Sequence, residues 1–134
     1  MNKEKKYRKN MKCLDQWLTA YERGNYISDY LKLYQIKNIG IYGYGILGKH
    51  LVFELRRKNF PIYWVMDRVA SGDENHDQIV RPDDWKNLQD VDMAVITTMI
   101  DVEEIEMFLM QFISGKILSV EELIGNMYRW GSQR

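Results

Sequence analysis

The strongest constraint on this chain is a glycine run, Gly43-Tyr44-Gly45-Ile46-Leu47-Gly48, set between two unlike patterns. Before it lies a short apolar stretch, Ile39-Gly40-Ile41-Tyr42, which has the character of a buried strand. After it, Leu47, Leu51 and Leu55 recur at helical spacing, while Lys49, Arg56 and Arg57 fall on the opposite face. That pattern predicts a helix over residues 46–58. A strand that turns into a helix through three glycines gives each of them a physical task. Gly43 permits the tight turn. Gly45, with no side chain, allows a group such as a pyrophosphate to approach the backbone, and Gly48 lets the helix lie close to the strand. The N–H groups around Ile46 and Leu47 lack partners within the helix, and together with the helix dipole they favour an anion.

The rest of the chain alternates in the same way. Residues 61–66 are a second apolar run, with Pro61 at the strand start, where its missing N–H does least harm. Residues 68–78 are polar, contain Ser71-Gly72-Asp73 and are expected to form a loop, with Ile79-Val80 as a short edge strand beyond it. Pro82 opens a brief helix whose first turn carries Asp83 and Asp84. Residues 91–98 read as a further strand, apolar through Met93-Ala94-Val95-Ile96. Asp101 and Glu104 have capping-box spacing ahead of the clearest helical stripe: Val102, Ile105, Phe108, Leu109, Phe112 and Ile113. Gly115 ends that stripe and residues 116–118 make a last strand. A second capping box, Ser119 and Glu122, then opens a terminal helix through Leu123, Ile124 and Met127.

Two helices precede the glycine run. Tyr7, Met11, Leu14, Trp17, Leu18 and Tyr21 read as one core-facing stripe that Gly24 stops. Ile27, Tyr30, Leu31 and Tyr34 make a shorter stripe. The expected fold class is therefore α/β, a Rossmann-like three-layer sandwich around a mainly parallel sheet with an N-terminal helical prefix. Right-handed crossovers with a reversal after the third strand give the expected order 3-2-1-4-5. Residues 1–35 are read as the helical extension and residues 36–134 as the nucleotide-binding domain.

Asp67 ends the second strand 24 residues beyond Gly43, near the spacing at which a dinucleotide fingerprint places the acid that accepts from ribose hydroxyls. An ordinary solvated strand-end acid is the alternative. Arg68 beside it could stack on adenine or pair with a 2′-phosphate; the neighbouring carboxylate would repel that phosphate, which favours NAD over NADP. Thr97 ends a strand where a switch-point crevice would lie, although strand-end threonines also follow from β-propensity. The candidate cofactor-binding set is Gly43, Tyr44, Gly45, Ile46, Leu47, Gly48, Asp67, Arg68 and Thr97.

No residue is assigned a catalytic or metal-binding role. Of the 2 histidines, His50 follows Gly48 on the helix and His76 lies in the polar loop, neither where hydride chemistry would occur. There is no Cys/His cluster for zinc, no G-x-S-x-G elbow and no phosphate loop ending in Gly-Lys-Ser/Thr. The single cysteine, Cys13, cannot form an internal disulfide. Nineteen basic residues balance 19 acidic ones, so no large net field draws nucleic acid or an acidic membrane. No apolar run approaches the ~20 residues of a bilayer span, and the basic N-terminus lacks a signal peptide's apolar stretch. A cytoplasmic location is the expectation.

The stretch 36–124 resembles the small NAD(P)-binding Rossmann-like domains of bacterial sugar-nucleotide and surface-polysaccharide enzymes. The residues that carry the resemblance run from Ile39 through Gly48, with Val65-Met66-Asp67, Asp92-Met93-Ala94-Val95-Ile96-Thr97-Thr98 and Ile117-Leu118-Ser119-Val120-Glu121-Glu122-Leu123. The resemblance covers about two thirds of the chain and implies a nucleotide-binding scaffold, with a link to polysaccharide biosynthesis, but no particular reaction. Those enzymes usually carry a further catalytic domain, and none is expected within these 134 residues. The expected function is accordingly binding of a dinucleotide, NAD(H) ahead of NADP or another nucleotide, in a sensing, regulatory or accessory role. A homodimer or a partner protein would then transmit the effect. The alternatives are a component of an oxidoreductase or sugar-nucleotide-modifying enzyme whose catalytic residues come from another chain, and a ligand-free interaction module.

Overall fold

A computed structural model describes residues 1–69 and 78–132. In chain order the elements are α1 (Lys3–Glu22), α2 (Ile27–Leu33), β1 (Ile39–Tyr42), α3 (Ile46–Arg57) and β2 (Ile62–Met66). A short 3₁₀ helix (Pro82–Asn87), β3 (Met93–Ile96), α4 (Val102–Leu109), β4 (Lys116–Ser119) and α5 (Val120–Ser132) complete them.

The four strands form one all-parallel sheet in the order β2-β1-β3-β4. This is an α/β layout compatible with a Rossmann-like one, but it does not confirm the five-strand order 3-2-1-4-5. At the expected edge strand Ile79-Val80, Val80 forms a parallel bridge with Met66, its N–H donating to Val65 O at 2.8 Å and its carbonyl accepting from Asp67 N at 3.0 Å. The register of β1 against β2 slips once, from Ile39 opposite Ile62 to Gly40 opposite Trp64, so Tyr63 is passed over and left exposed. Trp64 is thereby turned across Gly40, where any Cβ would overlap the indole ring. The indole N–H donates to Gln89 O at 3.1 Å.

Strand alternation sorts the core into two halves. Ile39, Ile41, Val65, Met93 and Val95 face a cluster built with α1, α2, α3 and α5, through residues such as Trp17, Leu31, Leu51 and Ile124. Tyr42, Trp64, Met66, Ala94 and Ile96 face the other half, closed by Ile105 and Leu109 of α4 and by Trp85 of the 3₁₀ helix. With both faces covered, the strands read as continuous apolar runs.

Several local expectations are corrected. The buried face of α1 is Cys13, Trp17 and Ala20, while Tyr7, Met11, Leu18 and Tyr21 of the expected stripe are exposed. Sequence periodicity registered the larger apolar side chains, whereas packing buries Cys13, Trp17 and Ala20 in the cluster that α1 shares with α5. Helix α4 ends at Leu109 rather than continuing through Ile113, and turns at Met110, Gln111 and Phe112 let Ile113 return to the core. Asp101 is not a side-chain cap for α4; it sits in the left-handed region at φ 56° with no capping hydrogen bond. Ser119 does cap α5, its Oγ accepting from Glu122 N at 3.1 Å. At the C-terminal end Met127 is fully buried and the Trp130 ring meets Tyr30 at 5.7 Å, so this apolar end covers the core.

Candidate functional site at the glycine turn

The sheet order places the direction reversal between β1 and β3, and the crevice outside their C-terminal ends is where open α/β sheets take ligands. Two segments meet there, the glycine turn after β1 and Thr97-Thr98 after β3. Gly43 has φ +104°, a conformation that favours glycine, and a Cβ on it would also run into the Thr97 and Thr98 side chains. Its N–H donates to Met66 O at 2.7 Å, tying the turn to β2 as well. Gly48 lies on the inner side of α3, where a Cβ would overlap the Gly43 carbonyl and come within 2.9 Å of Thr97 Oγ1.

Gly45 differs. It is the residue that precedes α3, no side chain caps that helix, and nothing lies within 4 Å of where its Cβ would be. The structure therefore needs no glycine here for packing; the open space lies directly over the start of a 12-residue helix. Ile46 is exposed beside it, whereas Leu47 and Tyr44 are buried in the core half that α3 covers. The Tyr44 side chain is thus drawn into the core.

The other candidates hold this turn in place. Thr97 is buried, and its Oγ1 lies 2.9 Å from both Tyr42 O and Gly43 O, so the hydroxyl proton serves the backbone beneath the turn instead of facing the crevice mouth. Asp67, partly buried at the end of β2, accepts from Tyr44 N at 2.7 Å through Oδ2 and from Val69 N at 2.7 Å through Oδ1. Its carboxylate bridges the ends of β1 and β2.

Arg68 turns to the α4 side. Its Nε donates to Tyr42 Oη at 3.1 Å, and its Nη2 lies 3.9 Å from Asp101 Oδ2. The Tyr42 hydrogen bond, then the charges of Asp101 and Glu104, hold its pKa above the ordinary arginine value, so it stays cationic. The Arg81 guanidinium donates to Arg68 O. Together with Glu104 and Phe108 these side chains line an open cleft of about 600 Å³ beside the end of β1.

Every candidate falls within two bodies: the turn itself, with Gly43 to Gly48, Asp67 and Thr97, and the adjoining cleft, with Arg68. Tyr42 and Arg81 were missed by sequence reasoning. Tyr42 read as a strand residue, and the only signal for Arg81 was its place before Pro82, at the return from the polar loop. His50 is exposed and sits edge-on to Trp17 at 6.3 Å, as a packing residue. His76 lies outside the described residues. Among the described residues there is no group of His, Cys, Asp or Glu side chains able to hold a metal ion. No helix among them is long and apolar enough to cross a membrane. Compared with known proteins, the chain matches no family model, and neither curated proteins nor solved structures match it.

Proposed function

We propose that the chain binds a dinucleotide at the glycine turn, NAD(H) first among the candidates, in a sensing, regulatory or accessory role. The observation that carries this reading is the open space over Gly45 at an uncapped helix start, placed at the reversal point of a parallel sheet. The first turn of α3 would meet a pyrophosphate with backbone N–H groups and the positive end of the helix dipole. Asp67, at the end of β2 beside the turn, would accept from ribose hydroxyls, and Arg68 with Tyr42 would border the adenine side. The resemblance to the small Rossmann-like domains of sugar-nucleotide and polysaccharide enzymes belongs to the same reading, as does a five-stranded layout completed by the chain around Val80.

The site suits an informative test, because the three glycines do different work. Thermal unfolding with NAD, NADP, AMP, coenzyme A and UDP-sugars is expected to show stabilisation by NAD; a ligand at 100 times its Kd adds about 2.7 kcal/mol. Gly45→Val is expected to abolish the shift while the apoprotein stays folded, since a Cβ here meets nothing beyond its chain neighbours, at a cost of about 1 kcal/mol for a poorer N-cap residue. No shift with any nucleotide removes the proposal. A shift with UDP-sugars alone transfers the site to a sugar-nucleotide-modifying component.

A further inference from the structure

We propose that α1 pairs with α1 of a second copy of this chain, antiparallel, through a face that the monomer leaves uncovered. Helix α1 has two apolar faces. One, Cys13, Trp17 and Ala20, is buried. The other is Tyr7, Met11, Leu14, Leu18 and Tyr21, whose steps of four, three, four and three are those of a coiled-coil seam. Leu14 is partly buried against the core, but Tyr7 is 53 % exposed, Met11 72 %, Leu18 60 % and Tyr21 42 %. A helix with a seam on one side and a core on the other is constructed to be packed twice.

Charge selects both the occupant and its direction. The first half of α1 carries Lys3, Lys5, Lys6, Arg8, Lys9 and Lys12 against Glu4, while residues 13–22 carry Asp15 and Glu22 with no basic residue. A parallel pair would set like halves together and bring Lys3 against Arg8 of the other copy. An antiparallel pair sets the basic half over the acidic one. When Met11 lies against the second copy's Leu14 and Tyr7 against its Leu18, Arg8 comes opposite the second copy's Asp15. Two-fold symmetry repeats the pair on the other side. Arg8 now reaches Glu4 on its own helix in an exposed ion pair, a contact that costs little to exchange. An anionic lipid surface is disfavoured as occupant, since Asp15 and Glu22 border the seam and would be pressed against like charge.

Sedimentation equilibrium of the full chain, from low micromolar to several hundred micromolar, is expected to give a species of twice the 16.1 kDa chain mass. Met11→Glu/Leu18→Glu is expected to be monomeric with unchanged circular dichroism, since both side chains are exposed. Arg8→Asp is expected to raise the dimer dissociation constant roughly tenfold, and Arg8→Asp/Asp15→Arg to restore it. The swap also covers the case in which the glutamate variant fails to fold. The proposal is overturned by a wild-type chain that stays monomeric throughout or by a dimer that survives the glutamate variant. Failure of the charge swap to restore pairing, or seam-dependent sedimentation of the monomer with phosphatidylserine vesicles, overturns it equally. Nucleotide binding has no part in this inference.

Discussion

Glu54 of α3 shows what a single buried acid does in this fold. Trp17 Nε1 donates to its Oε1 at 3.3 Å, while Oε2 is buried without a hydrogen-bond partner among the described residues. Burial pushes its pKa above the ordinary 4.5, against the opposing pull of Trp17, the Ile27 backbone and Lys58. The folded chain therefore binds a proton more tightly here than the unfolded chain. That contribution to stability is fully present below the unfolded value and is lost as pH rises through the raised folded one. Glu54→Gln is expected to gain stability relative to wild type as pH rises from below 4.5 to neutral, read from urea unfolding across that range. A difference that does not vary with pH would reject this account. Thr97 makes the companion case. Thr97→Val keeps the shape but removes the one hydroxyl proton that Tyr42 O and Gly43 O share; Tyr42 O still accepts from Thr97 N at 2.8 Å, and the variant is expected to cost about 1 kcal/mol in the same measurement.

At the scale of elements, the glycine turn separates what the fold requires from what a ligand would require. Gly48→Ala would drive a Cβ into the Gly43 carbonyl and push α3 away from β1, so a loss of about 1–3 kcal/mol or more is expected. Gly45→Ala meets nothing and is expected to stay within about 0.5 kcal/mol of wild type. Chemical denaturation of the pair checks both; equal losses would mean that Gly45 is a packing glycine after all. Helix α5 offers an independent check on capping. Ser119→Ala removes the acceptor for Glu122 N and is expected to cost about 1 kcal/mol.

At the scale of the molecule, α1 and α2 are part of the core that the sheet and α3 share: Trp17, Ala20, Ile27 and Leu31 pack in one cluster with Ile41 and Leu51. Cys13 reports on that cluster. Burial, reinforced by the nearby Glu121 charge, pushes its thiol up to about 12, so at neutral pH almost no thiolate is present. Labelling by a disulfide reagent is expected to be slow in the folded chain and to follow the global unfolding transition as urea is added. Fast labelling before that transition would show that α1 detaches on its own.

The alternation of short apolar runs with helical stripes was legible in the sequence because strand and helix periods are local properties. So was the turn at Gly43, where backbone conformation and close approach both demand glycine. The close packing of Gly48 was legible for the same reason. Tertiary structure decided the remainder. Which stripe of α1 is buried depends on packing against α5, at the far end of the chain. Thr97 and Asp67 look like ligand-facing polar residues in sequence, yet Thr97 Oγ1 and Asp67 Oδ2 meet the backbone at the turn after β1, which only the pairing of β1 with β2 and β3 brings to them. Arg68 and Tyr42 are 26 residues apart and meet only because the parallel register aligns the ends of their strands. Local chemistry is written along the chain, but the partner of a polar group or of an apolar face is set by packing between distant segments.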